Sequence, residues 1–327
     1  MKVYSGFKPS IKFNKPIVTI GVFDGIHLGH QKLFTTMTRK ARSAKKKAVV
    51  VTFSPHPRKV INAGENVRSI MSLNHRIAFF QKYGFDICIV VNFDKKFAKH
   101  DPASFIKHIL SARLNTGTLF IGEDFRLGKD RAGDAEAVKN IAKTLDMPVF
   151  IVKSRKMNRK KISSTLIRKY ILHGDLKKAQ HLLGRNVSVM GTVVKGDKIG
   201  RCLGIPTANL DLHHELAPPS GVYAVFVRNS GTLRKGIANI GSRPTISKSA
   251  SDPRTEVHVL DFKENLYGED LEVIFIKKIR NERHFKTLYG LRQRINGDIL
   301  KARSILRKEG TARLKKHFPI KRIENQA

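Results

Sequence analysis

The chain has 327 residues, enough for two domains that each bury a core without disulfide support. Sixty-three Lys and Arg against 26 Asp and Glu give a net charge of +37, but the basic residues are scattered and Trp is absent. We therefore expect no specific nucleic-acid binding, although polyanions will be attracted. The two cysteines exclude a disulfide framework, and no apolar run has membrane-spanning or signal-peptide character, so we expect a cytoplasmic protein without a membrane partner.

The first half of the chain alternates short apolar runs with helical stretches. The predicted strands are residues 17–22, 48–53, 87–92, 118–122 and 149–152. This alternation predicts a Rossmann-like α/β domain with a parallel sheet, in which ligands bind beyond the carboxyl ends of the strands. Three segments follow such ends and are expected to converge on one crevice: the loop with His27 and His30, residues 54–57 and residues 123–128.

The segment TIGVFDGIHLGHQKL, residues 19–33, places two histidines at a junction between a strand and a helix. Amide groups and the positive end of the helix dipole favour phosphate there. His27 and His30 are three residues apart, so both can reach one phosphate, and Gly29 between them leaves room for a nucleotide. The alternative is that both are ordinary surface histidines.

The string KISSTLIRKY begins a second predicted helix, which starts near Ser163. Its hydroxyl side chains are suited either to capping that helix or to binding a phosphate, and the basic residues that precede it favour the phosphate. A further short helix ends at Gly184, where we place the boundary between two domains, residues 1–184 and 185–327.

The second half changes to short alternating runs with glycine turns, which predict a small antiparallel β-barrel followed by a helix over 283–309. Its loop KGDKIGRCLGIPTAN, residues 195–209, either binds an anion through its backbone or is a turn-rich connection. Under the first interpretation, Thr207 and Asn209 supply oxygens suited to Mg²⁺. The predicted nucleotide-binding residues of this loop are Gly196, Lys198, Gly200 and Arg201.

The strings GVFDGIHLGH and ISSTLIR resemble the bacterial flavin adenylyltransferases, which belong to the HxGH nucleotidyltransferase superfamily. The resemblance implies that His27 and His30 are catalytic. It implies nucleotide binding by Gly21, Phe23, Asp24, Gly29, Ser163, Ser164, Thr165 and Arg168. The two neighbouring loops supply the predicted flavin-binding residues Pro55, His56, Asp124, Phe125 and Arg126.

The strings GRCLGIPTAN, GVYAV, GIANIGSRPT and TEVHVLDF resemble riboflavin kinases. The resemblance implies that Glu256 is the general base on the riboflavin 5′-hydroxyl and that Thr207 and Asn209 bind Mg²⁺. Seen alone, Glu256 is equally suited to be a surface glutamate at a strand start. Ile205 departs from the family, which usually has Phe there, and Leu127 stands where an aromatic residue is common. These departures bear on ligand affinity and not on the class of reaction.

Together the resemblances imply a bifunctional enzyme of the riboflavin kinase/FMN adenylyltransferase family. Its small-molecule partners are riboflavin, FMN and ATP, its cofactor is Mg²⁺, and FAD is its final product. One alternative is a class I aminoacyl-tRNA synthetase-like protein that binds RNA, suggested by HLGH and the run KMNRKK. Another is a nucleic-acid-binding protein on an inactive nucleotidyltransferase fold. The sequence makes no prediction of the oligomeric state.

Overall fold

A computed structural model describes residues 1–7, 13–62, 68–128, 133–157, 160–196, 200, 203–241 and 254–309. The chain divides into two compact units. Unit 1 takes in the described residues up to 62 together with 76–163, and unit 2 takes in 68–75 together with 164–309. This division falls between Ser163 and Ser164, so the domain boundary at residue 184 stays a prediction.

Unit 1 contains a six-stranded parallel sheet with the strand order β1-β4-β3-β2-β5-β8. Its strands are β1 Lys2–Ser5, β2 Ile17–Ile20, β3 Ala48–Ser54, β4 Ile87–Asn92, β5 Thr118–Gly122 and β8 Val149–Val152. Two small hairpins accompany it: β6 Arg126–Leu127 with β7 Gly133–Asp134, and β9 Lys156–Met157 with β10 Lys160–Lys161. The prediction of a parallel α/β domain is confirmed.

Helices lie between these strands in the sequence. They are α1 Leu28–Ser43, α2 Pro57–Ile61, α3 Leu73–Lys82, α4 Lys95–Ala98, α5 Pro102–Ser104, a π-helix Phe105–Arg113 and α6 Ala135–Lys143. Helix α1 forms because its apolar residues recur at helical spacing and bury one face, with Leu33, Phe34, Met37 and Ala41 in the core. Strand β2 is buried along its whole length, as expected for a strand covered on both faces.

Unit 2 contains a closed barrel with the strand order β11-β12-β15-β14-β13-β16, all pairs being antiparallel. Its strands are β11 Ser188–Val194, β12 Ala208–Asp211, β13 Gly221–Asn229, β14 Thr232–Gly241, β15 Arg254–Val259 and β16 Asp270–Arg280. The helices are α7 Ser164–Leu172, α8 Leu176–Leu183 and α9 Leu288–Glu309. The barrel with its C-terminal helix is confirmed, although that helix begins five residues later than predicted.

Helix α9 packs against the barrel through a small apolar cluster. Ala302 and Leu306 are buried with Phe226 of β13 and Ile274 of β16. The same helix exposes Leu300 on its outer side. The helix therefore covers one part of the barrel wall, and its first turns reach a cavity described below.

A buried network of charged side chains lies in unit 2. The Nδ1 atom of His75 is 3.1 Å from Glu215 Oε1, and its Nε2 atom is 3.7 Å from Glu272 Oε1. Arg228 pairs with Glu272 at 2.7 Å, and the Ser72 amide donates to Glu215 at 2.7 Å. Burial alone lowers the pKa of His75, but the two carboxylates outweigh it and raise that pKa to about 9.

Burial alone likewise raises the pKa of Glu272. Hydrogen bonding to His75 and the charge of Arg228 oppose this effect and bring the Glu272 pKa down to about 2. His75 is therefore an imidazolium and Glu272 a carboxylate at neutral pH. The charge of this buried network, and with it the stability of unit 2, therefore depends on pH.

Candidate active sites

The loop that leads into α1 brings the two predicted histidines into direct contact. His27 is the N-cap of α1, and its Nδ1 atom accepts from the His30 amide at 3.4 Å. The two imidazole rings stack with centroids 3.7 Å apart and planes 19° apart. The ring of His30 also meets Phe23 edge to face, at 5.3 Å between centroids. Both imidazoles thus lie together at a helix N-terminus, where an anion is favoured.

The backbone of this loop is held in unusual conformations. Phe23 has φ +54° and Ile26 has φ +37°, values that side-chain-bearing residues rarely adopt. The ring of Phe23 is buried and would touch a side chain at Gly21, whose Cβ would lie 2.9 Å from Phe23 Cζ. Strain of this kind is typical of loops built to hold a functional geometry.

The glycine between the two histidines fits closely against one of them. A Cβ atom at Gly29 would lie 3.1 Å from both Cε1 and Nδ1 of His27. Gly29 therefore makes room for the His27 imidazole, and nucleotide binding by Gly29 stays a prediction. Asp24, also predicted to bind nucleotide, is buried in the same loop.

The three predicted loops leave adjacent strands, because β2 lies between β3 and β5 in the parallel sheet. Their expected convergence on one crevice stays a prediction. The buried guanidinium of Arg76 links two of the strand ends, since it donates to the Val22 carbonyl at 2.7 Å and to the Phe53 carbonyl at 3.1 Å. It also donates to Thr52 Oγ1 at 2.7 Å. The sequence interpretation missed this residue.

The predicted flavin-binding residues occupy the loops after β3 and β5. Pro55 follows a cis peptide bond, and His56 caps α2 by accepting from the Arg58 amide. Asp124 forms an ion pair with Lys161, and Phe125 packs on the sheet core. Arg126 donates to the Phe125 carbonyl at 2.9 Å. All five lie beyond strand ends of the same sheet, and their contact with flavin stays a prediction.

Glu123, the first residue after β5, accepts a hydrogen bond from the Ser154 amide at 2.9 Å. This bond lowers the pKa of Glu123. The carboxylate thereby fastens the β5 loop to the chain that follows β8.

The predicted triphosphate-binding residues fall on both sides of the division between units. Ser163 ends unit 1, whereas Ser164, Thr165 and Arg168 lie in the first turns of α7 in unit 2. Arg168 donates from Nε to the carbonyl of Arg68 at 3.1 Å. Their common role in holding a triphosphate stays a prediction.

In unit 2 the predicted base and the predicted magnesium ligand face each other across a strand pair. Asn209 of β12 is in register with Glu256 of β15, and Glu256 is in register with Asn239 of β14. Side chains at paired positions lie on the same face of a sheet. The barrel therefore gathers a carboxylate and two amides in one row, of which Asn239 was not among the predicted site residues.

Two cavities meet at this row. The larger, of about 530 Å³, is lined by the loop 262–267 together with Gly196, Pro206, Thr207 and Asn209. The smaller, of about 240 Å³, contains Glu256. Thr207 and Asn209 line both cavities. The apolar walls of the smaller one are Leu203, Ile205, Val222, Ile237, Phe285, Leu291 and Ile295, the last three close to or within α9.

Two of the three glycines of the predicted anion loop, Gly196 and Gly200, lie close to these polar side chains. A Cβ atom at Gly196 would lie 2.0 Å from Asn209 Nδ2. At Gly200 it would lie 3.0 Å from Thr207 Oγ1 and 2.5 Å from the Ile205 carbonyl oxygen. Glycine is thus required at position 196 by the Asn209 side chain and at position 200 chiefly by the Ile205 carbonyl. The predicted nucleotide-binding residues Lys198 and Arg201 lie outside the described residues.

Arg254, which begins β15, is a further residue that the sequence interpretation missed. Its Nε atom lies 2.8 Å from Glu256 Oε1 and 2.9 Å from Asn209 Oδ1. It precedes the motif string TEVHVLDF by one position, and only the barrel register brings it to Asn209. The signal available in the sequence was its spacing of two from Glu256, which places both on one face of a strand.

Family models match both halves of the chain. A model described as FAD synthetase matches residues 11–166, and a model described as riboflavin kinase matches residues 183–306. The chain is thus an enzyme of flavin cofactor biosynthesis with both a nucleotidyltransferase and a kinase domain.

Relatives that match nearly the whole chain carry the same pair of activities in their names. A bifunctional riboflavin kinase/FMN adenylyltransferase of Buchnera aphidicola subsp. Schizaphis graminum is 37% identical over 91% of this chain and 97% of its own. One of Haemophilus influenzae is also 37% identical, over 88% and 93%. The chain belongs to the bifunctional riboflavin kinase/FMN adenylyltransferase family. The alternative of a class I aminoacyl-tRNA synthetase-like protein that binds RNA is not favoured.

A solved structure supports the fold over almost the full length. A crystal structure described as a macrolide-efflux protein from Streptococcus pneumoniae covers 93% of this chain and 99% of its own, with a TM-score of 0.78 and 30% identity. Within the described part of our chain, no helix is both long enough and apolar enough to span a bilayer.

Proposed function

We propose that the chain carries out the two reactions of its family at two separate sites, one in each unit. In unit 2 the riboflavin 5′-hydroxyl attacks the γ-phosphorus of ATP, its proton passes to Glu256, and ADP leaves. In unit 1 a phosphate oxygen of FMN attacks the α-phosphorus of a second ATP, and pyrophosphate leaves. The products are FMN and then FAD.

One observation carries the kinase assignment: Thr207 and Asn209 form a wall shared by both cavities, and Glu256 lies beside that wall in the smaller one. We place ATP in the larger cavity, where the glycine loop ends. We place riboflavin in the smaller cavity, because it combines seven apolar lining side chains with polar and charged ones. The acceptor hydroxyl then meets the γ-phosphoryl group at the shared wall.

The side chains at this wall fit a magnesium–phosphate complex. Thr207 and Asn209 offer a hydroxyl and an amide oxygen, and Mg²⁺ in such sites is held by few protein oxygens together with substrate phosphates. Among the residues described, no cluster of three or more His, Cys, Asp or Glu could hold a metal. When bound, the ion neutralises charge on the transferred phosphates.

In unit 1 we assign the chemistry to the paired imidazoles at the start of α1. The stacked rings of His27 and His30 offer hydrogen-bond donors beside the first amides of the helix. Negative charge that develops around the α-phosphorus is stabilised by donors already fixed in place. That the protein binds no specific nucleic acid and that it is cytoplasmic both remain predictions.

The test is to incubate the protein with riboflavin, ATP and Mg²⁺ and to separate the flavins by chromatography. The wild type should form FMN and FAD. Glu256→Gln should form neither from riboflavin yet convert added FMN to FAD, whereas His27→Ala should accumulate FMN. Glu136→Gln, an exposed change on α6, should behave as wild type. No flavin product from the wild type, or loss of both activities in each variant, would refute the proposal.

A further inference from the structure

The guanidinium of Arg254 lies against the two groups on which the kinase reaction depends. Its Nε atom is 2.8 Å from one oxygen of Glu256 and 2.9 Å from the amide oxygen of Asn209. That amide oxygen is the atom we assign to magnesium. All three side chains line the cavity of about 240 Å³.

The contact follows from the register of the barrel. Arg254 and Glu256 are two residues apart on β15 and therefore point to the same face. Asn209 is paired with Glu256 on the neighbouring strand, so it faces the same space. The alternate residues of β15, Thr255, Val257 and Val259, are buried on the opposite face. Arg254 is thus directed to the reaction site and not to the core.

We propose that Arg254 is a positioning residue that occupies the amide oxygen of Asn209 in the substrate-free kinase site and that must move away from Asn209 when magnesium and nucleotide bind. This inference rests on the proposed function, because it uses the assignment of Asn209 and Glu256. A guanidinium and a divalent cation repel each other at the same oxygen. The arginine keeps Glu256 and Asn209 ordered before the substrates bind, and it weakens the binding of magnesium to the site.

The side chain of Arg254 is partly exposed. Its exposed fraction is 33%, and Arg254 lies at the start of its strand. Replacing it leaves the buried face of β15 unchanged, so the barrel core is retained. The substitutions are Arg254→Gln, which removes the charge, and Arg254→Lys, which keeps it. The matched control is Arg303→Gln, because Arg303 also pairs with a carboxylate, that of Asp261, on the exposed surface.

The measurement is calorimetric binding of ADP, with and without Mg²⁺, to each full-length variant. The quantity compared is the ratio of the Kd without metal to the Kd with metal, which separates the effect on the metal from any effect on the phosphates. In Arg254→Gln this ratio should rise about tenfold, the change expected when a monovalent cation a few ångströms from Mg²⁺ is removed in a water-like dielectric. Arg254→Lys and Arg303→Gln should match the wild type.

A ratio in Arg254→Gln that stays unchanged or falls would overturn the inference. If the unchanged ratio is accompanied by a loss of kcat of more than about 100-fold, Arg254 instead stabilises the transition state, by about 3 kcal/mol. Flavin production by the wild type separates the two proposals. If riboflavin is phosphorylated and the ratio does not respond, only the role of Arg254 fails.

Discussion

Replacement of His75 by glutamine should remove a pH-dependent part of the stability of unit 2. The His75 pKa is raised from its ordinary value of 6.5 to about 9. Since one pH unit corresponds to about 1.4 kcal/mol, the imidazolium contributes roughly 3 kcal/mol to folding. A raised pKa means that this contribution is complete below pH 6.5, declines as the pH rises, and is lost above about 9.

The assay is urea unfolding, followed by far-UV circular dichroism, of wild type and His75→Gln at pH 6 and pH 10. The difference in unfolding free energy between the two proteins should be about 3 kcal/mol smaller at pH 10 than at pH 6. His181→Gln, an exposed substitution on α8, should show no such change. An equal difference at both pH values for His75→Gln would mean that the buried imidazole is not charged, and our reasoning would be wrong.

Two further substitutions test how each site is held. Gly196→Ala should displace the amide of Asn209 and lower kinase kcat/KM at least tenfold, a loss of about 1.4 kcal/mol. Steady-state assays with riboflavin will detect this loss. The control is Gly297→Ala, which places a methyl group in open space on α9 and should leave kcat/KM unchanged. Arg76→Met leaves the Val22 carbonyl without its buried donor, so urea unfolding should show a loss of about 3 kcal/mol in the free energy of unfolding. The rate of FAD formation should also fall. Riboflavin phosphorylation should be retained, and its loss would contradict an effect confined to unit 1.

The local parts of this fold could be predicted from sequence because they depend on continuous apolar runs. The strands Ile87–Asn92, Thr118–Gly122 and Val149–Val152 have the predicted bounds. Strand β1 was missed, since Lys2–Ser5 is not a continuous apolar run and is not buried like β2. It joins the sheet through β4, more than eighty positions away, and no local pattern contains that pairing.

The sites show the same limit. Motif strings identified Glu256, Thr207 and the histidines, because these residues lie within short segments. Arg254 lies outside these strings, and Asn239, although it lies within GIANIGSRPT, comes beside Glu256 only when the barrel closes and sets its register, which depends on contacts distant in the sequence. Gly196 was predicted to bind nucleotide, whereas in the structure the absence of its side chain makes room for Asn209.

The pairing of Asn209 with Glu256 has a consequence for how this protein can vary. A single inserted or deleted residue in β12 or β15 would turn one of these side chains to the opposite side of the sheet. Evolution can therefore lengthen the connections between these strands but not the strands themselves. Among natural variants that still make FMN, length differences should be confined to the turns, and both strands should keep their number of residues.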